Sequence, residues 1–293
     1  MTTPSVTLVR LFDRFWAAWL GGVEACGRKP TRQAVHALRI DCRRLDALLD
    51  VLGHTTGAPA KALRRLGRVA AEPLDALSTL RDDQVQRHRI AGGADNRGMQ
   101  ALLEAVRRRE ARHKARARDA IVGIDVARAD ALAHRVRTGV IRRQGAPTPH
   151  DRTLLLLTAV NAAATGVRSR LARLDTDRTR SLHKLRVAIK HFRYVVEIAA
   201  EVSPSVHVAA QPTLRSLQRR LGVIHDADVL ATRIGRFARR RRKHLQDVRG
   251  FKTRVESDRA RSLRGLSRAL PALRHALTDL AARASSGAAA RAQ

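Results

Sequence analysis

Aromatic side chains make up 3% of the 293 residues, with one tyrosine and two tryptophans. So few rings leave little surface on which unpaired bases could stack, the usual way of holding single-stranded nucleic acid. Cysteine occurs twice, as Cys26 and Cys42, without a CxxC spacing. That excludes a disulfide framework or a thiolate zinc site as the organising element, and two reduced thiols are expected. The longest uncharged run, Thr153 to Val167, is short and rich in Thr, Asn and Gly, so it cannot span a bilayer. Near the start, Arg10, Asp13 and Arg14 interrupt the apolar stretch that a secretory signal needs. These absences point to a soluble cytoplasmic protein with no membrane partner.

Acid is scarce as well. Asp and Glu total 26 against 58 Lys and Arg, a formal charge of +32. Lysine supplies only seven of the basic residues, leaving 51 arginines. Arginine carries a permanent charge and a planar fork of donors that matches phosphate oxygens. A surplus of this size repels itself unless anions neutralise it, so a polyanionic partner is the first inference. The hydrophobic content of 44% is enough for a folded core and rules out a charged disordered chain.

Almost every segment has helical period and none alternates over any length, which gives an all-α fold class. Phe12, Phe15, Trp16 and Trp19 fall at i, i+3, i+4 and i+7, the stripe of an ordinary helix core. Breaks are expected at Gly27 to Pro30, Gly53 to Pro59, Pro73, Ala91 to Gly93, Gly145 to Pro149, Ser203-Pro204 and Pro212. Helices of about 10 to 28 residues lie between them. The residues after Ala284 read as a flexible tail.

The two sides of the segment near residue 145 repeat. VHALRIDCRRLDALL at 35–49 matches LHKLRVAIKHFRYVV at 182–196, and LSTLRDDQV at 77–85 matches LGVIHDADV at 221–229. Two matched blocks in the same order predict an internal duplication, with bundles over 1–145 and 146–284 and a tail over 285–293.

On a helical wheel at about 100° per residue, His36, Arg39 and Arg43 share one side of the first repeated helix with Arg32. His183, Arg186, Lys190 and Arg193 share the same side of the second. The apolar stripe of Leu38, Cys42, Leu45 and Leu49, matched by Leu185, Ile189, Phe192 and Val196, lies beside these cations rather than opposite them. Ile40, Ala47, Val187 and Tyr194 flank them on the other side. Cations lodged between two apolar edges would line a cavity with positive charge, which is costly without an anion. The alternative is a structural polar seam paired with acids. In the second block, Arg81-Asp82 and His225-Asp226 are read as helix starts, with the acid capping or orienting and Arg81 or His225 adding a donor. The alternative there is that Asp82 and Asp226 pair with the arginine stripe. The runs Arg107 to Arg109 and Arg239 to Lys243 are expected on solvated faces. His88, His134, His207 and His275 show no usable spacing.

At VHALRIDCRRL, LRDD-V, LHKLRVAIKHFRYVVE and LGVIHDADVL the chain resembles the CHAD family, the conserved histidine α-helical domain. The resemblance covers about residues 5 to 280. It implies two helical bundles related by a pseudo-twofold axis around a basic central cavity, binding of inorganic polyphosphate, and association with polyphosphate granules. Carried over by position, His36, Arg39, Arg43, Arg44 and Arg81 would bind phosphates in the first half. His183, Arg186, Lys190, Arg193 and His225 would do so in the second. Sulfate or phosphate could occupy the same site. Asp46 stands where Arg193 stands in the other half, and Gln84 where Asp228 stands, so the first half-site is expected to be weaker or Asp46 to pair with an arginine. Histidines beside a bound anion are expected to favour their protonated form, so that affinity rises as pH falls from about 8 to 6.

Other readings stay open. The charge guarantees non-specific attraction to DNA or RNA at low salt. His225-Asp226 resembles the dyad of HD-type metal phosphohydrolases, with His183 and Asp247 as further ligands. A phosphotransfer histidine is a third possibility. The stripe favours a non-enzymatic binding protein with no metal and no cofactor.

Overall fold

The computed structural model describes residues 4–142, 148–206 and 211–289. Among them the chain forms α1 (Pro4–Arg28), α2 (Arg32–Thr55), α3 (Ala60–Ala91), α4 (Arg97–Val122), α5 (Val126–Arg142), α6 (Pro149–Ala172), α7 (Thr179–Val202), α8 (Gln211–Arg240) and α9 (Leu245–Ala289), with one 3₁₀ turn before α9. The fold is all-α, as its periodicity predicts. The junction near residue 145 and His207 lie outside the described residues.

Local chemistry sets most helix ends. Thr31, after Pro30, accepts a hydrogen bond from the Ala34 amide and starts α2, and Asn96 does the same for α4 through Met99. Thr148 and Asp151 form a reciprocal capping box with Pro149 in the first turn of α6. Gly57, at φ 58°, turns the chain between α2 and α3 in a conformation that only glycine takes without strain.

Pro73 does not break the chain; it lies inside α3. On either side of it, Trp19 Nε1 donates to the Ala70 carbonyl and Arg39 Nη1 to the Leu74 carbonyl. Side chains of α1 and α2 thus anchor α3 beside the proline. The helices α3, α8 and α9 reach 32, 30 and 45 residues, longer than the sequence predicts, and α9 carries Pro271 internally. It also runs past residue 284 to Ala289, so the segment expected as a tail begins as helix, and 290–293 lie outside the description.

Neighbouring helices pack in the same order on both sides of the midpoint: α1 on α2, α2 on α3 and α3 on α4, then α6 on α7, α7 on α8 and α8 on α9. Contacts of α1 with α4 and of α6 with α9 close the two sets, and α5 lies against α1 and α3. Across the molecule α2 meets α7, α3 meets α8 and α4 meets α9. The apolar core is not divided at the midpoint. One cluster joins Trp19, Leu38 and Leu80 to Phe192, Leu217 and Leu273, and a second joins Met99 and Val106 to Ile234 and Phe251. The two helix sets thus bury their apolar stripes partly against each other.

Candidate anion-binding site

The apolar stripes of the repeated helices, Leu38, Cys42, Leu45 and Leu49 on α2 and Leu185, Ile189, Phe192 and Val196 on α7, are all buried. Since α2 packs on α7, burying these stripes sets the adjoining cations facing the other half. α2 supplies His36, Arg39 and Arg43, α3 Arg81 and Asp82, α7 His183, Arg186 and Lys190, and α8 His225 and Asp226. Arg81-Asp82 and His225-Asp226 sit in the middle of α3 and α8, so neither is a helix start. The aspartates are members of the cluster, not caps.

Several of the charge effects on these groups cross between halves, as those of Lys190 on His36 and of Arg43 on His183 do. Burial lowers His36, and Arg81, Lys190, Arg32 and Arg39 lower it further. Burial also lowers His183, with Arg186, Arg43 and Lys190 adding to it. His225 falls to about 4 through burial and then Arg186, and its ring centroid is 5.3 Å from that of His183. Lys190 is pushed down to about 7 by burial, and its leading charged neighbours are all arginines: 186, 43, 39 and 193. Arg39 falls to about 10 by burial and the charge of Arg43. Asp82 and Asp226 move up, chiefly because burial penalises their charge, although arginines oppose the change. Two carboxyls against this many cations leave a net positive cluster in which Arg186 Nε is buried without an acceptor. His36 and His183 are exposed at its edges, so solvent reaches it.

Two of the expected residues do not join. Arg44 is exposed, and its charge acts on Asp41. Arg193 is tied up by an ion pair with Glu197, a hydrogen bond of 2.7 Å to Gln218 and the face of Tyr194. Asp46 pairs with a histidine, not an arginine: His191 lies 3.4 Å from Asp46 and 2.8 Å from Asp50. Gln84 is buried.

A cavity of about 1390 Å³ lies between α4, α8, α9 and the start of α7, and of the ten expected residues only His183 and His225 line it. Arg39 reaches a backbone carbonyl of α3, donating to Leu74 at 2.9 Å. The wall contains Arg108, Arg109, Arg240 and Arg241, so the two arginine runs expected on solvated faces partly face this space. It also contains Arg233 and Arg259, which the spacing did not single out. Asp83 was missed as well. It is fully buried and takes a 2.6 Å hydrogen bond from Arg233 Nη2, with His113 Nδ1 at 2.5 Å. Only its place beside Asp82 in LRDD could have drawn attention to it.

The ligand set of the phosphohydrolase reading does not assemble. Asp247 lies beside His244, at 3.3 Å, and against Gly98. Among the described residues no group of three or more His, Cys, Asp or Glu is placed to hold a metal ion. Nor is any described helix long and apolar enough to cross a membrane.

A basic, all-helical protein with a cation cluster between two like-ordered helix sets is the class that fold and site define. The family model for the CHAD domain matches residues 10–235, and the chain belongs to that family. Its fold is similar to the crystal structure of the CHAD domain from the plant Ricinus communis, with a TM-score of 0.67, 18% identity and 92% of each chain covered. It is also similar to PptA from Streptomyces chartreusis, with a TM-score of 0.54, 17% identity, and 94% of this chain and 100% of the other covered. A search of curated protein sequences returned no match.

Proposed function

We propose that this chain binds inorganic polyphosphate at the cluster of His36, Arg39, Arg43, Arg81, His183, Arg186, Lys190 and His225, without catalysing its turnover. We also propose that it partitions with polyphosphate granules in the cytoplasm, and that its two helix sets are copies of one unit. The observation that carries the binding reading is Lys190, an amine held down to about 7 among arginines. Such a group is unfavourable in the free protein and regains its charge when an anion enters. Polyphosphate fits because it is a linear run of charges without bases, so arginine forks and counterion release hold it and stacking rings are not needed.

The linkage has a definite sign. Lys190 and the three histidines have lowered values in the free protein, and an anion raises them, so binding takes up protons and strengthens as pH falls. Lys190 acts between its ordinary 10.5 and about 7, and the histidines act below that. The test is displacement of labelled long-chain polyphosphate by duplex DNA, RNA or sulfate at physiological salt. Weak competition by nucleic acid, with loss of about 10-fold or more in affinity on His36→Ala/His183→Ala or Arg186→Glu, supports the cluster as the site. Equal competition by DNA, with variants that bind like the wild type, assigns the affinity to the diffuse arginine field.

A further inference from the structure

On the side of α9 roughly opposite the large cavity, by about 100° per residue, lies a second basic site. A cavity of about 450 Å³ is lined by Arg220 of α8 and by Arg261, Arg264, Gly265, Arg268 and Ala269 of α9. It shares no lining residue with the larger one. Its α9 residues also lie beyond the segment 10–235 that the CHAD family model matches.

Three features distinguish this notch from ordinary basic surface. A Cβ at residue 265 would overlap the Arg220 guanidinium, so the glycine leaves the room in which that side chain lies. The Arg220 Nε is buried with no acceptor, although a buried donor is normally satisfied. Finally, the charge is uncompensated. Asp258 stands 3.7 Å from Arg261, and among the described residues Arg220, Arg264 and Arg268 have no carboxylate within 4 Å. Like charges at i+3 and i+4 on a helix repel, and Arg264 and Arg268 add to the charge of Arg261 without a carboxylate of their own among the described residues. They extend over about 10 Å of helix at 1.5 Å per residue, which suits a linear polyanion better than a single oxyanion.

Resting on the polyphosphate reading above, we infer that the notch of Arg220, Arg264 and Arg268 on Gly265 binds a second strand of polyphosphate, so that one protein chain bridges two polymers. Two sites on different faces cannot both engage one short segment, but they can join neighbouring strands, and linkage of that kind multiplies avidity. The protein would thereby act as a cross-linker of polyphosphate.

The test is calorimetric titration of the full chain with long-chain polyphosphate at physiological salt, with turbidity followed in parallel. Two binding phases are expected for the wild type. Arg264→Glu/Arg268→Glu weakens the second phase by about 10-fold or more and abolishes turbidity. Gly265→Ala changes no charge and favours the helix, yet it displaces Arg220, and it weakens the same phase by about 3-fold or more. Arg186→Glu instead removes the first phase. The control Arg116→Glu/Arg135→Glu, on exposed surface, changes net charge equally and lowers both phases alike. The proposal is overturned if Gly265→Ala binds as wild type and the 264/268 pair behaves as the control. It is overturned too if duplex DNA displaces the second phase as readily as polyphosphate does, since the notch is then nucleic-acid surface. A single phase lost with Arg186→Glu refutes the notch alone, whereas no binding in any phase refutes the parent reading with it.

Discussion

Lys190 and His191 are neighbours on α7 and have opposite electrostatic surroundings. Lys190 turns to Arg186, Arg43 and Arg39 and is pushed down to about 7, while His191 turns to Asp46 and Asp50 and is raised to about 9 despite burial. One helix thus carries an unpaired cation and, one residue on, a cation paired with two carboxylates of α2. The paired seams follow His191: Arg233 crosses between the halves to Asp83, His113 joins Asp83 within the first half, and Arg259 meets Asp228 within the second. The cluster follows Lys190. Paired charge marks what the fold needs, and unpaired charge marks what a ligand must supply.

That contrast can be broken most forcefully at Asp83. Asp83→Ala removes the fully buried partner of Arg233 and His113, and it is expected to lower unfolding free energy by about 3–5 kcal/mol in chemical denaturation. A loss below about 1 kcal/mol would place the knot outside the stabilising seams. Next comes Arg186→Met, which removes a buried cation that feels Asp226 and Asp82 but forms no ion pair with either among the described residues. It is expected to weaken polyphosphate binding by about 10-fold or more while the melting temperature stays level or rises. A fall in both would make Arg186 structural.

The pH dependences sharpen the comparison further. The raised value of His191 contributes stability that is fully present below its ordinary 6.5 and lost as pH rises through about 9. The lowered value of Lys190 contributes stability present above its ordinary 10.5 and lost as pH falls through about 7. Melting curves across this range should flatten on their alkaline side in His191→Gln, and stability near pH 7 should rise in Lys190→Met. The smallest effect is expected at Asp13, whose pair with Arg137 is solvent-exposed on both sides. Asp13→Asn should leave the melting temperature close to that of the wild type, with the difference smaller still at high salt.

Helix type was legible because it depends on spacing along one element. Phe12, Trp19, Leu38 and Phe192 were all core residues by period, and each is at most 1% exposed. Helix ends were legible where a side chain caps its own helix, as Thr31 does, and were misread at Pro73, where Trp19 and Arg39 come from elsewhere to donate to the carbonyls on either side. The cluster was half legible for the same reason. Wheel geometry found His36, Arg39, Arg43, His183, Arg186 and Lys190. It could not foresee that Glu197 and Gln218 would engage Arg193, or that Arg233 would cross to the other half to meet Asp83.

By itself, therefore, the sequence determined the helical class, the arginine surplus, the repeated blocks and the side of α2 and α7 on which the cations lie, all of them properties of composition and local period. Tertiary structure alone decided which cations keep a carboxylate and which do not. That depends on distances between residues about 150 positions apart, as with Asp83 and Arg233, and electrostatic energy in a partly buried site follows those distances rather than the order of the chain.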